Sequence, residues 1–79
     1  MMTLHSYSAQ IMDLRDKAVR IKRITAKLED ILLWTPEKFT PEMAALLNHY
    51  NAKLNAILIE KARLEIDRAI LLERSVSQL

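Results

Sequence analysis

Three charged side chains at helical spacing are the strongest candidates for chemistry in this sequence. Lys61, Glu65 and Arg68 follow one another at intervals of four and three residues, so a helix would place them on one side. Two cations flanking a carboxylate could form a polar cavity for a small dianion or accept a charged group of a partner. The same spacing also favours ion pairing within the helix, with the long stems covering apolar surface. Both interpretations stay open.

Other reactive residue types have no suitable neighbours. No acid stands three or four residues from His49, so a helical metal site is not indicated, and the serines have no base at a defined spacing. The chain contains no glycine and no cysteine. Phosphate-binding glycine loops, disulfides, thiolate nucleophiles and cysteine-ligated zinc are therefore excluded. We expect no catalytic residues, no metal ligands and no cofactor.

Two short segments resemble parts of the small all-helical chorismate mutases. They are Leu-Arg-Asp-Lys at 14–17 and Ser-Val-Ser-Gln at 75–78. The resemblance implies an all-helical enzyme that binds a dicarboxylate through inward-facing cations, here Lys61 and Arg68. The sequence departs from that family in its first helix, because Arg15 lies on the flank of the apolar seam described below. A mutase-like enzyme is accordingly one alternative function.

The most basic part of the chain is residues 15–27, which hold six basic residues against the single acid Asp16. At helical spacing these cations surround the helix, whereas a DNA-reading helix concentrates them on one face. The net charge of the whole chain is only +2. We interpret the basic patch mainly as a solvated surface, and contact with an acidic protein surface, nucleic acid or an anionic membrane remains an alternative. Its residues are Arg15, Lys17, Arg20, Lys22, Arg23 and Lys27.

The elements that position these residues are defined by two prolines. Thr-Pro-Glu occurs at 35–37 and again at 40–42, and each copy offers an N-cap threonine, a proline at the first helical position and an acid in the first turn. A residue that precedes proline is pushed out of the α region. The sequence therefore predicts one domain of 79 residues, with a first helix at about 4–34, a turn at 35–40 and a second helix at about 41–76.

An apolar seam at alternating four- and three-residue spacing runs along the first helix, as in a coiled coil. Paired antiparallel with the second helix, it predicts an all-α helical hairpin in which the numbers of facing residues total roughly 74–76. Thr25 would then face Tyr50, and a hydroxyl pair would satisfy both. The seam consists of Leu4, Tyr7, Ile11, Leu14, Ala18, Ile21, Thr25, Leu28 and Leu32.

Each helix also carries a second set of apolar residues that a hairpin partner cannot reach, because a partner covers only about 100° of a helix surface. Two hairpins that packed through these residues would form a four-helix bundle. We therefore expect a homodimer, or contact with another protein, through this second set. The predicted interface residues are Met12, Val19, Leu33, Ile59, Ile66 and Ile70.

These features favour a small non-catalytic protein that docks an apolar helical face on a partner, as an adaptor, chaperone or inhibitor. Phage-type accessory inhibitors, such as a cytoplasmic antiholin or a transcription-factor antagonist, are one class of this kind, and a nucleic-acid-binding helical dimer is another alternative. The N-terminus shows no signal-peptide pattern, and no uncharged run approaches the roughly 18 apolar residues of a membrane span. We expect a cytoplasmic protein.

Overall fold

A computed structural model describes residues 3–77 as two long helices packed side by side. Helix α1 is Leu4–Trp34, a 3₁₀ turn follows at Pro36–Lys38, and helix α2 is Pro41–Ser77. The molecule is a rod of 62 × 15 × 15 Å. The predicted all-α helical hairpin is confirmed. Neither helix of the described chain has both the length and the apolar character that crossing a bilayer requires.

Threonine side chains cap the start of each long helix. The Thr3 hydroxyl accepts a hydrogen bond from the Ser6 amide, and Thr40 does the same for Met43, both at 3.1 Å. These bonds satisfy amides that have no partner within the helix. The prediction that the Thr35 side chain caps the start of a helical turn is wrong. Its hydroxyl donates instead to the Ile31 carbonyl at 3.2 Å. Thr35 therefore closes α1 instead of starting the 3₁₀ turn.

Helix α2 is continuous through its asparagine-rich part. Asn48, Asn51 and Asn55 lower the helix propensity there, yet no break occurs between Pro41 and Ser77. Packing of one side of α2 on α1 outweighs the propensity of single residues. The continuous helix holds residues 59–70 in a fixed relation to the turn.

The best-covered residues all lie on α1, along the predicted seam. None of them is fully enclosed, and no residue of α2 reaches the same degree of burial among those described. Leu32 departs from the prediction, since it is 46% exposed at the turn end of the seam. At this end the better-covered residues of α1 are Leu28 and Ile31, so the covered side of the helix passes Leu32 by. The buried set is Ile11, Leu14, Ala18, Ile21, Thr25 and Leu28.

The polar member of the seam is satisfied within its own helix. Thr25 is buried, and its hydroxyl donates to the Lys22 carbonyl at 3.1 Å. The predicted hydroxyl pair with Tyr50 is therefore wrong. A threonine on a helix can always reach the carbonyl three or four residues earlier, and this local bond competes with a partner on another helix.

Candidate interaction surfaces

The polar cluster of Lys61, Glu65 and Arg68 is half-buried and forms local contacts. The Lys61 ammonium donates to Glu65 Oε1, one turn further along α2. Arg68 Nη1 donates to the hydroxyl of Ser8 at 3.4 Å and so joins α2 to α1. Residues 8 and 68 agree with the predicted pairing of the helices. The contact between Lys61 and Glu65 is an ion pair within α2, as one of the two interpretations of the cluster predicted.

The Lys61 ammonium determines the acid–base behaviour of Glu65. Its hydrogen bond and its charge hold the pKa of the Glu65 carboxyl below the ordinary value, and the charge of Arg68 acts in the same direction. Partial desolvation opposes them. Because the folded-state pKa is lowered, the carboxylate stabilises the fold above the ordinary glutamate pKa of about 4.3. That contribution is lost as the pH falls through the lowered pKa.

Replacement of Glu65 by glutamine is expected to lower the melting temperature at pH 7, because Lys61 loses its charged partner. The difference from the wild type should shrink as the pH falls below about 4.3, where the wild-type carboxylate also becomes protonated. Circular-dichroism melting curves between pH 3 and pH 7 would measure it. Glu29→Gln, at an exposed carboxylate of α1, is the matched control. A difference that persisted unchanged at low pH would contradict the ion-pair explanation.

Two apolar stripes remain in contact with solvent on the side of each helix away from the seam. The α1 stripe is Met12, Val19, Ala26 and Leu33, and the α2 stripe is Ile59, Ile66 and Ile70. The large members of both stripes are between 40% and 71% exposed. The six residues predicted as an interface are thus all accessible in the single chain.

The basic patch on α1 is exposed along its whole length. Lys17 pairs with Asp13 at 3.1 Å, and Arg20 Nε donates to the Asp16 carbonyl at 3.4 Å. Arg15 is also exposed, so α1 directs no arginine toward the seam. The cations point around the helix and do not share one face.

A groove between the helices brings together residues that sequence reasoning did not connect. It lies midway along the hairpin and has a volume of about 440 Å³. Leu14, Ile21 and Ile57 form its apolar part, and four charged residues line it as well: Lys17, Arg20, Lys53 and Glu60. Lys53 and Glu60 were missed because they matter only once α2 is placed beside α1. The predicted pairing of the helices, applied to their charged residues, was the signal that could have found them.

The histidine and carboxylate side chains are dispersed over the described residues. Within residues 3–77, no group of three histidine, aspartate or glutamate side chains could hold an ion. His49 is exposed, and its ring meets the edge of the Tyr50 ring at a centroid distance of 5.3 Å. Both histidines lie at exposed positions of the rod.

Comparison with known proteins gives no relative. No family model, no curated protein and no solved structure matches this chain.

Proposed function

We propose that this protein is a non-catalytic interaction module, an adaptor, chaperone or inhibitor, that works by covering apolar helical surface on a partner chain. The observation that carries the proposal is the exposure of two regular apolar stripes, one on each helix. Single apolar residues on a surface are common and need no explanation. Stripes at helical spacing on both helices of one small chain are the usual mark of a surface that is covered by another helix.

The area of the molecule supports the same proposal. A compact monomer of this mass exposes about 4,900 Å². The hairpin, at 9.2 kDa, exposes 6235 Å². The excess is about 1,300 Å², and a standard interface buries about 800 Å² on each partner. A standard interface would therefore remove more than half of the excess, and an obligate homodimer interface, at about 1,000–2,500 Å² on each partner, is large enough to remove all of it.

The arrangement of the stripes favours a second copy as the first partner. In a two-fold symmetric contact, the same surface of both copies meets, so that residue i of one copy contacts residue j of the other while residue j contacts residue i. The α1 stripe of one copy can meet the α2 stripe of the other in this way. The product is a homodimeric four-helix bundle, in which the large side chains of both stripes interdigitate.

Regulation of a target would follow from mass action. A module that binds one state of its target stabilises that state according to its difference in affinity for the two states. The same arithmetic applies to an adaptor, a chaperone and an inhibitor. The three classes differ only in the target that the module binds.

The mass of the free protein in solution tests the proposal directly. Sedimentation equilibrium of the full chain is expected to give twice the monomer mass of 9.2 kDa at high concentration, with dissociation on dilution. Tight dimers would stay at the doubled mass throughout. A mass that remained that of one chain at the highest soluble concentration would overturn the dimer. It would also show that the stripes tolerate water without a partner of the same kind.

A further inference from the structure

We propose that the groove between the helices binds an acidic amphipathic helix of a partner protein. For this inference, the groove is the surface lined by Leu14, Lys17, Arg20, Ile21, Lys53, Ile57 and Glu60. The inference rests on the proposed interaction role. It adds the chemical nature of the partner, which the proposed function does not specify. It concerns a surface other than the two stripes.

The apolar part of the groove has the dimensions of a helix contact. Leu14 and Ile21 lie seven residues apart on α1, which is two turns or about 10 Å. Ile57 of α2 lines the same groove. A partner helix with apolar residues at i, i+3 or i+4, and i+7 presents a stripe of equal length. Leu14 and Ile21 are themselves buried and form the floor of the groove, so the half-buried Ile57 is the apolar side chain that such a helix would contact.

The charged residues that line the groove predict a partner of negative charge. Lys17, Arg20 and Lys53 line the groove against the single acid Glu60. The ammonium of Lys53 forms no ion pair with any residue in the described part of the chain. Lys17 already pairs with Asp13 and Arg20 donates to the Asp16 carbonyl, so a helix with glutamates beside its apolar stripe would supply a carboxylate to Lys53 first.

The surroundings of the groove extend the same complementarity. The middle of the hairpin, residues 15–27 with 49–61, holds eight basic residues against two acidic ones, a net charge of +6. The turn end, residues 28–48, holds one basic residue against four acidic ones, a net charge of −3. The positive field of a chain whose overall charge is only +2 is thus concentrated around the groove. Such concentration raises the rate at which an acidic partner arrives.

A helix fits the groove better than other anionic partners do. Single-stranded nucleic acid binds through aromatic platforms on which bases stack, and the groove is lined by aliphatic and charged side chains. Duplex DNA and anionic membranes are contacted through many cations that share one face, and only three basic residues line the groove. A groove with an apolar floor and a charged rim fits one side of a helix that carries carboxylates.

The groove stays open in the proposed dimer. Lys17 and Arg20 lie on one side of the α1 seam, and Met12 and Val19 lie on the other at helical spacing. A copy that covers the stripes therefore leaves the groove facing solvent. Each groove is lined by one chain, so a monomer would retain it.

A labelled synthetic peptide tests the inference. The probe is an amphipathic helix with leucines at one stripe and glutamates flanking it. Controls are a peptide with lysine in place of each glutamate and one with the leucines scrambled around the helix. Fluorescence anisotropy with the full chain should show binding of the acidic amphipathic peptide only. Affinity should fall between about 50 mM and 200 mM salt, because the contacts are partly ionic.

Two charge-reversal variants show where on the chain the peptide binds. Lys53→Glu is expected to weaken the peptide at least about fivefold, and Lys38→Glu, the same charge change at an exposed turn residue, less than about twofold. Equal weakening by both variants, or no binding by the wild type, would overturn the proposal that the groove binds the peptide. Tighter, Lys53-dependent binding of a DNA duplex or of phosphatidylserine vesicles would overturn the choice of partner. So would self-association that Lys53→Glu abolishes.

The same samples separate this inference from the proposed function. Sedimentation of wild-type protein and of Lys53→Glu reports the dimer, and anisotropy reports the groove. A doubled mass without peptide binding rejects the groove alone. Peptide binding by a chain that stays monomeric rejects the dimer alone, because every lining residue of the groove belongs to one chain.

Discussion

Replacement of Ile21 by alanine is expected to leave much of the protein unfolded at room temperature. Ile21 is 7% exposed and lies in the middle of the seam, where its loss leaves a cavity. Isoleucine-to-alanine substitutions in a core cost about 2–5 kcal/mol. A single core in a chain of this size supplies about 3–5 kcal/mol in total. Urea titration followed by circular dichroism would measure the loss.

Ile24 supplies the matched control for this substitution. It lies one turn further along α1, carries the same side chain and is 37% exposed. Ile24→Ala is expected to cost about 1 kcal/mol or less, since little covered volume is removed. Protein concentration must be equal in both titrations, because association adds to the apparent stability. Equal losses for the two variants would show that α1 does not pack through the predicted seam.

Introduction of a carboxylate into the α2 stripe is expected to abolish self-association. Ile66 is 61% exposed in the single chain, so aspartate is tolerated there by the hairpin. In the proposed dimer the same position is covered, and an unpaired charge in a covered apolar contact costs several kcal/mol. Sedimentation should change from the mass of two chains to that of one, with helicity largely retained.

Ala45→Asp is the control for Ile66→Asp. It places the same charge on an exposed position of the same helix, fourteen residues before the first residue of the α2 stripe. This variant should keep the mass of the wild type. If Ile66→Asp stayed fully associated, the α2 stripe could not be the contact. If both variants dissociated equally, the effect would come from charge or from weakened helix and not from the stripe.

The fold was predictable because one pattern and one turn are enough to define a hairpin. The heptad seam identified five of the six best-covered residues as apolar and the sixth, Thr25, as the polar exception. The two Thr-Pro-Glu motifs located the turn, and Thr40 caps α2 as expected. Long regular helices leave few competing arrangements, so local sequence and overall fold agree.

Other features depend on details that periodicity does not contain. The hydroxyls of Thr25 and Thr35 bind carbonyls of their own helix, a choice made by local geometry within one turn. Leu32 is uncovered because the covered side of α1 passes to Ile31 at the turn end, a shift that depends on how the two helices cross. The groove needed the pairing of residues about forty positions apart, such as Lys17 with Ile57. Sequence order separates these residues, and only the packed hairpin joins them.

The antiparallel course of the hairpin has a practical consequence for how the protein can be presented. Leu4 and Ser77 lie at one end of the 62 Å rod, and the exposed Trp34 lies at the other. A tag or a support attached beyond either helix is therefore at the end of the rod opposite the turn. Both stripes and the groove lie along the sides of the rod, so they stay accessible whichever terminus is attached.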